Sequence, residues 1–384
     1  MDRSKWEYKK LGEISFYPRK RFEKEFLSVG NYVGVENLLK DKKGRIDAED
    51  LPANNASTIE YMPNDILIGN IRPYLRKIWL ADKNGGASGD VIVVRINEDY
   101  REFLFPNYLY LVLSDNSFFD YNMAHSKGAK MPRGDKDAVL KYTIPIPSYE
   151  DQQRIVAELD CLNEMIAVKQ EQLKEFDKLA QSIFYDMFGD PSHNEKQWKL
   201  KSLKDISNEK LSYGSGASAV TFDGRTRYIR ITDINDNGEL NEDIVSPSVY
   251  DEKYLLNDGD ILFARSGATV GKTYCHNSKY GQCIYAGYLI RLVPNKELVL
   301  PSYVFSYTKT PYYRSFVEAA QRAVAQPNIN AKQYGDLLIC VPPLTLQQQF
   351  AEKISAIEAQ KELVKQSIAE TQALLDYTMD KYFG

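Results

Sequence analysis

The tail of the chain repeats its middle at a fixed offset of 195 residues, so the sequence reads as one domain and one long helix written twice. Asp65–Ile66–Leu67 returns as Asp260–Ile261–Leu262, Pro106–Asn107–Tyr108 as Pro301–Ser302–Tyr303, Pro132 as Pro327 and Gln152 as Gln347. Trp6 and Leu11–Ile14 have weaker counterparts at Trp198 and Leu203–Ile206. A repeat this long excludes a single continuous core and predicts two related globular parts.

The repeat is sharpest in two stretches where apolar residues step by four and three without a break. The first seam is Ile155, Leu159, Leu162, Ile166, Lys169, Leu173, Phe176, Ala180, Ile183 and Met187. The second keeps the phase as Phe350, Ile354, Ile357, Lys361, Val364, Ile368, Thr371, Leu375, Thr378 and Tyr382. This is the a/d pattern of a heptad coiled coil, with a lysine interrupting each seam where it can fix pairing register. Two helices of an ordinary bundle would show the same stripe over a shorter length.

The 384 residues suffice for two domains plus the helices, and 43% hydrophobic content supports real cores. No apolar run of about 18 residues is present, and Met1–Lys10 lacks the apolar segment of a signal peptide, so a cytoplasmic location without a membrane span is the expectation. Cys161, Cys275, Cys283 and Cys340 show no paired CxxC spacing, and Cys275–His276 with Cys283 lacks a fourth ligand, so no metal is expected. The net charge of −4 conceals a division: residues 149–188 carry −5 and residues 345–384 carry −2, which leaves +3 on the globular parts. Local charge is what meets phosphate, so acidic helices are compatible with a nucleic-acid-binding surface.

Residues 1–147 mix short β-rich runs, Asp65–Ile71 and Val91–Ile96, with a helical stretch from Asn107–Leu113 toward Ala124, which predicts an α+β domain. Ile144–Pro145–Ile146–Pro147 forces extended backbone, and Ser148 or the acids Glu150–Asp151 then suit a helix N-terminus. The first long helix fills 148–189 and stops at Gly189–Asp190–Pro191. A short linker, Ser192–Gln197, opens the second domain (190–343), with strands at Asp260–Ala264 and Tyr288–Val293, a helix at Pro301–Ala320 and an exit at Val341–Pro342–Pro343. The second long helix fills 344–384. Antiparallel closure of the two helices is the economical arrangement, giving a pseudo-two-fold repeat whose 33-residue seam spans about 50 Å, or about 15 base pairs.

The proline exits Ile144–Pro147 and Val341–Pro343, the glutamines Gln152–Gln153 and Gln347–Gln349, and the heptad helices resemble those of a Type I restriction-modification specificity subunit, over essentially the whole chain. Asp260–Ile261–Leu262–Phe263–Ala264–Arg265–Ser266–Gly267, followed by Val270–Gly271–Lys272, is similar to a pattern in that family's target recognition domains. In the first copy, Asn70 replaces the arginine of position 265, and an arginine follows at Arg72. The resemblance implies that each domain recognises one part of an asymmetric, interrupted double-stranded DNA target. It further implies that the helices set the spacer and dock two methyltransferase subunits, with restriction subunits joining for cleavage. S-adenosylmethionine and ATP would belong to those partners, and this chain would need no cofactor and perform no catalysis. Consistent with that, no GxGxxG motif and no methylase (Asp/Asn)-Pro-Pro-(Tyr/Phe) tetrapeptide occurs.

Candidate DNA contacts recur at matched offsets: Asn70 and Arg72 with Arg265, Lys77 with Lys272, Lys127 with Arg322, and Arg133 with Asn328. Lys130 lies in the same first-copy loop, and Gln326 and Asn330 extend the second. Arginine suits guanine edges, Asn and Gln suit adenine edges, and lysine holds phosphate. Gly267–Thr273 imitates a phosphate-binding loop with one residue too few between its glycines, so a turn that brings Lys272 near a DNA phosphate competes with a plain β-turn. Tyr108, Tyr110, Tyr303, Tyr307, Tyr312 and Tyr313 have helical spacing and suit packing better than base stacking. Two other function classes stay open on the residues alone: a coiled-coil adaptor presenting two protein-binding domains, and an autonomous nuclease or methylase.

Overall fold

The structure is a computed structural model that describes residues 3–52, 57–322 and 328–384, together with the backbone but not the side chain of Arg322. It divides into two compact units, Met1–Lys169 with Ser367–Gly384, and Gln170–Gln366. Each long helix, Tyr149–Phe188 and Leu344–Phe383, is therefore shared between the units and does not form a body apart from the globular domains.

In the first unit a four-stranded antiparallel sheet runs in the order Ser15–Phe16, Val91–Ile96, Ile66–Gly69, Ile78–Leu80. Side chains alternate across a pleated strand, so each strand feeds two cores. Ile66, Ile68, Ile78, Ile92 and Val94 pack with the helices, whereas Leu67, Trp79, Val91 and Val93 pack with Val33, Tyr61 and Ala87. The last three belong to a small sheet, Tyr32–Val33, Gly85–Ala87 and Ile59–Tyr61, whose first pairing is parallel. Burial on both faces is why these strands read as unbroken apolar runs.

The second unit repeats the scheme with Ser212–Tyr213, Leu289–Leu292, Ile261–Ala264 and Thr273–Cys275. Ile261, Phe263, Ile290 and Leu292 face the helices, and Leu262, Ala264, Tyr274 and Leu289 face the other core. In both units a two-stranded ladder closes the globular part, Glu7–Lys10 on Thr143–Ile146 and Lys199–Ser202 on Leu338–Val341. The chain thus enters and leaves each globular part side by side.

Two helices expected from the sequence are each broken in two. The first is Pro106–Ser114 and Asn116–Ala124, because Asp115 takes extended backbone and accepts a hydrogen bond from the Ser117 N–H as a new cap. The second is Pro301–Tyr307 and Pro311–Arg322, because Pro311 cannot donate to the preceding turn.

All seam residues are buried or half-buried. In the first unit Ile155, Leu159, Leu162 and Ile166 share a core with Leu375, Tyr382 and the partly buried Ile368, and Lys169 Nζ donates to Ser367 O (3.2 Å) and Thr371 Oγ1 (2.7 Å). In the second unit Phe350 meets Phe188 at 5.1 Å between ring centres, Ile183 and Ile354 pack against the same core, and Lys361 Nζ donates to Asp177 (2.8 Å) and Glu358 (3.0 Å). Ile357 is buried there, and Leu173, Phe176 and Val364 are half-buried. Within each unit rising numbers on one helix meet falling numbers on the other, so the segments pair antiparallel. Ser148 Oγ accepts from the Asp151 N–H at the start of the first helix. At its end, Gly189 adopts φ +77° and Lys196 Nζ donates to the carbonyls of Asp186 and Met187.

Each globular part is fastened to a long helix by one glutamine with no exposed surface. Gln152 accepts the Phe105 N–H (2.8 Å) and donates to Phe103 O (2.9 Å) and Pro147 O (3.0 Å). Gln347 makes the same three bonds 195 residues later, with Leu300 N–H (2.8 Å), Leu298 O (3.0 Å) and Pro342 O (2.8 Å). A carboxamide is the neutral group that can both donate twice and accept at this place.

Candidate nucleic-acid interface

In each unit the strand that ends at Gly69 or Ala264 runs into a loop, and a second loop returns to bind it. Ile71 bridges Arg133 in the first unit and Ser266 bridges Asn328 in the second, both shifted by 195. The backbone bonds repeat as well: Gly134 N–H to Asn70 O (3.0 Å) and Ile329 N–H to Arg265 O (2.9 Å). The first unit adds Arg72 N–H to Pro132 O (2.7 Å), and Lys127 and Arg133 exchange backbone hydrogen bonds of 2.9 Å in both directions. Side chains on these loops stand on fixed backbone, as a reading surface requires.

The first-unit loops gather Arg72, Lys127, Lys130 and Arg133, all exposed. Arg72 and Lys130 have no ion pair among the described residues. Lys127 pairs with Asp135 (2.7 Å), a contact that holds the ammonium above its usual range, and Arg133 pairs with Asp90 (3.3 Å). Solvent screens exposed pairs of this kind, so a phosphate can replace the carboxylate at little cost.

Arg72 and Arg76 have left-handed backbone, φ 53° and 49°, on either side of the turn Pro73–Leu75. Their counterparts at the repeat offset are Gly267 and Gly271, φ 69° and 86°. The turn asks for glycine, and the first copy carries arginine twice, at about 1–2 kcal/mol of strain per residue. Side chains held at such a cost are candidates for a task of their own. Arg76 escapes a reading by residue type alone. It shows once the two copies are laid over each other.

In the second unit Arg265 is half-buried and its Nε donates to Asn328 Oδ1 (3.2 Å). Its guanidinium lies 4.8 Å from the centre of the Tyr213 ring. Tyr213, brought in by the pairing of Ser212–Tyr213 with Ile290–Arg291, has no sequence signal.

Four expected contacts have other occupations. Asn70 is 7% exposed, and its Oδ1 is sealed beneath Gly134, where an added Cβ would lie 2.8 Å from that oxygen. Lys77 folds inward to Val35 O (2.6 Å), and burial pushes its ammonium down. Lys272 is held by Asp236 (2.9 Å) and Ile234 O (3.3 Å), and Gly271 beside it is needed for packing, since a Cβ there would come within 2.6 Å of Val317. The phosphate-loop imitation is therefore a packed turn. Asn330 is a helix cap whose Oδ1 accepts from the Gln333 N–H (2.9 Å) ahead of Ala331–Asp336. Arg322 closes the helix Pro311–Arg322, and its side chain and all of Gln326 lie outside the described residues. Among the described residues no group of three His, Cys, Asp or Glu could hold a metal, and no helix is long and apolar enough to cross a membrane.

A sequence model of the Type I restriction modification DNA specificity domain matches the chain twice, over residues 3–176 and 195–373. The chain is 25% identical over 195 residues to the Type I restriction enzyme HindI specificity subunit of Haemophilus influenzae, covering 49% of this chain and 41% of that protein. It is 21% identical over 262 residues to the MjaIX specificity subunit of Methanocaldococcus jannaschii, covering 63% and 60%. The matches thus span less than two thirds of either relative. Among solved structures, the S subunit of a Type-I restriction-modification system from M. genitalium shares the fold with a TM-score of 0.56 at 14% identity, over 99% of this chain and 96% of that one. A chain from a study of complex assembly and conformational transition of the type I R-M system gives a TM-score of 0.60 at 22% identity, over 98% and 97%.

Proposed function

This chain belongs to the Type I restriction modification DNA specificity domain family, and on that premise we propose that it is the specificity subunit of a Type I restriction-modification complex. Each repeat reads one half of an asymmetric, interrupted duplex target, and the helix pair sets the gap. The observation that carries this is the loop-on-loop constellation, bonded at the same offset in both copies and fitted with different side chains: Arg72, Arg76, Lys130 and Arg133 in one, Arg265, Asn328 and Tyr213 in the other. A common scaffold with different heads is what two unlike half-sites call for.

The chain supplies recognition, and its partners supply the chemistry. Two methyltransferase subunits bring S-adenosylmethionine, and restriction subunits bring ATP-dependent cleavage. The long helices support two copies of one partner, because exposed apolar residues on them recur at the repeat offset: Val168 (68% exposed) with Leu363 (59%), and Leu179 (47%) with Leu374 (51%). The work is expected to take place in the cytoplasm.

Salt separates this function from a protein-binding adaptor. The chain assembled with its methyltransferase subunits should bind duplex containing its target with an affinity that falls steeply as salt rises, through counterion release. Salt-insensitive or absent duplex binding would favour the adaptor. Inserting four residues near Lys169 and four near Val364 should lengthen the tolerated gap, since each insertion adds about 6 Å of helix; an unchanged gap would refute the helix pair as the ruler.

The strained arginines give a sharper prediction. Arg72→Gly relieves left-handed strain while adding a similar entropy to the unfolded chain, so its unfolding free energy should stay within about 1 kcal/mol of the parent. Duplex affinity should fall about tenfold, with a salt slope shallower by roughly one. Unchanged binding would remove Arg72 from the interface.

A further inference from the structure

Among the described residues of the second unit, Arg265 differs from Arg227, Arg230 and Arg291 in being held by an amide and a ring, with no carboxylate or backbone carbonyl on its guanidinium. Arg230 pairs with Asp233 and Asp243, Arg291 with Asp260, and Arg227 donates to Asn241 O. The Arg265 backbone is fixed at both ends, its N–H on Tyr288 O (3.0 Å) and its O accepting from the Ile329 N–H (2.9 Å). The preceding carbonyl, Ala264 O, accepts from Tyr334 OH (2.8 Å). The guanidinium carbon lies over the ring of Tyr213, whose hydroxyl is itself held by the Ala331 N–H (3.0 Å). Asn328 accepts from Nε, so this edge of the fork is used, and among the described residues Nη1 and Nη2 have no hydrogen-bond partner.

Among the described residues, a Cβ added to the neighbouring Gly267 would meet nothing within 4 Å. A planar double donor whose Nε is already engaged matches an acceptor pair lying in one plane, and a guanine presents such a pair as O6 and N7 in the major groove. A phosphate can also accept both Nη donors, and the two ligands differ in their readout: losing a guanine contact alters discrimination at one base pair, whereas losing a phosphate contact weakens binding at all positions and flattens the salt slope.

We infer that Arg265 reads a guanine of the second unit's half-site end-on through Nη1 and Nη2, with Tyr213 and Asn328 as positioning residues that hold the guanidinium plane. This rests on the DNA-reading function proposed above and gives one base of one half-site its reader.

The test uses the full chain assembled with its methyltransferase subunits, and measures methylation kcat/KM on duplexes in which every position of the target is replaced in turn. Arg265→Lys and Arg265→Gln should lose discrimination at a single G·C pair, roughly tenfold to a hundredfold, and leave the other positions as in the parent. Tyr213→Leu should weaken discrimination at that same pair, and Tyr213→Phe, which keeps the ring, should restore it. Those two variants keep the assignment testable if an Arg265 variant folds poorly. A uniform loss at all positions with a shallower salt slope would make Arg265 a phosphate contact and overturn the guanine assignment, leaving DNA reading intact. Parent complex that methylates all duplexes alike would overturn both.

Discussion

Exchanging residues 198–341 for the matching part of another family member should rewrite one half of the methylated target and leave the other half and the gap as they were. The cut points lie at the ends of one antiparallel ladder, where Lys199 is the register partner of Val341, so a graft closes on itself. What the graft must meet is mostly indifferent to its side chains. Gln347 binds backbone groups only: those of Leu298 and Leu300, which any donor sequence supplies, and that of Pro342, which stays in the recipient chain. Phe184, Phe188 and Phe350 stay behind on the helices as an apolar floor for the donor's core. Methylation mapping of cells that carry the exchanged gene reads the outcome, and a change in both halves would refute one-domain, one-half reading.

Replacing Gln347 with leucine should cost the second unit about 3–5 kcal/mol of unfolding free energy. The change strands one N–H and two carbonyls, the last of them fully buried, and each unsatisfied group costs about 1–3 kcal/mol. Gln152→Leu should weaken the first unit by a similar amount, since the three bonds are the same. Urea unfolding of single and double variants checks this: because the glutamines serve separate units, the two losses should add. Gln347→Glu is the informative partner, because a carboxylate can still accept from the Leu300 N–H but faces two carbonyls without a proton to give. It should be nearly as damaging at neutral pH. A loss below about 1 kcal/mol in the leucine variants would show that these bonds do not fasten the globular parts.

How far the residues alone lead depends on whether the determining interaction is local. The long helices were legible because heptad spacing, Gly189 with Pro191, and the Pro-rich exits are short-range signals. The strands Asp65–Ile71 and Asp260–Ala264 were legible for the same reason. The breaks at Asp115 and Pro311 were written in the sequence too, as a capping acid and a proline, but a long apolar pattern masked them.

The meeting of the two loops of the candidate interface was legible, and the placement of the side chains less so. Lys127–Arg133 and the loop around Arg72 come together as basic, exposed segments. Lys77 and Lys272, by contrast, have long arms that reach a carbonyl or carboxylate supplied from distant parts of their units, Val35 and Asp236, and no spacing reveals that. Asn70 is covered by a loop more than 60 residues away. Tyr213 joins Arg265 only through strand pairing. The left-handed arginines occupy a middle ground: the backbone angle is invisible in one copy and readable from the glycines of the other.

The most direct experiment is a genome-wide map of adenine methylation in the source cell, with and without this gene. A two-part motif with a fixed gap should be methylated in the parent and lose its methylation on deletion, and its bases should then be assignable to the two units through the Arg72 and Arg265 variants. A methylation pattern that is the same with and without the gene, in a cell whose partner methyltransferase is expressed, would contradict a specificity role for this chain.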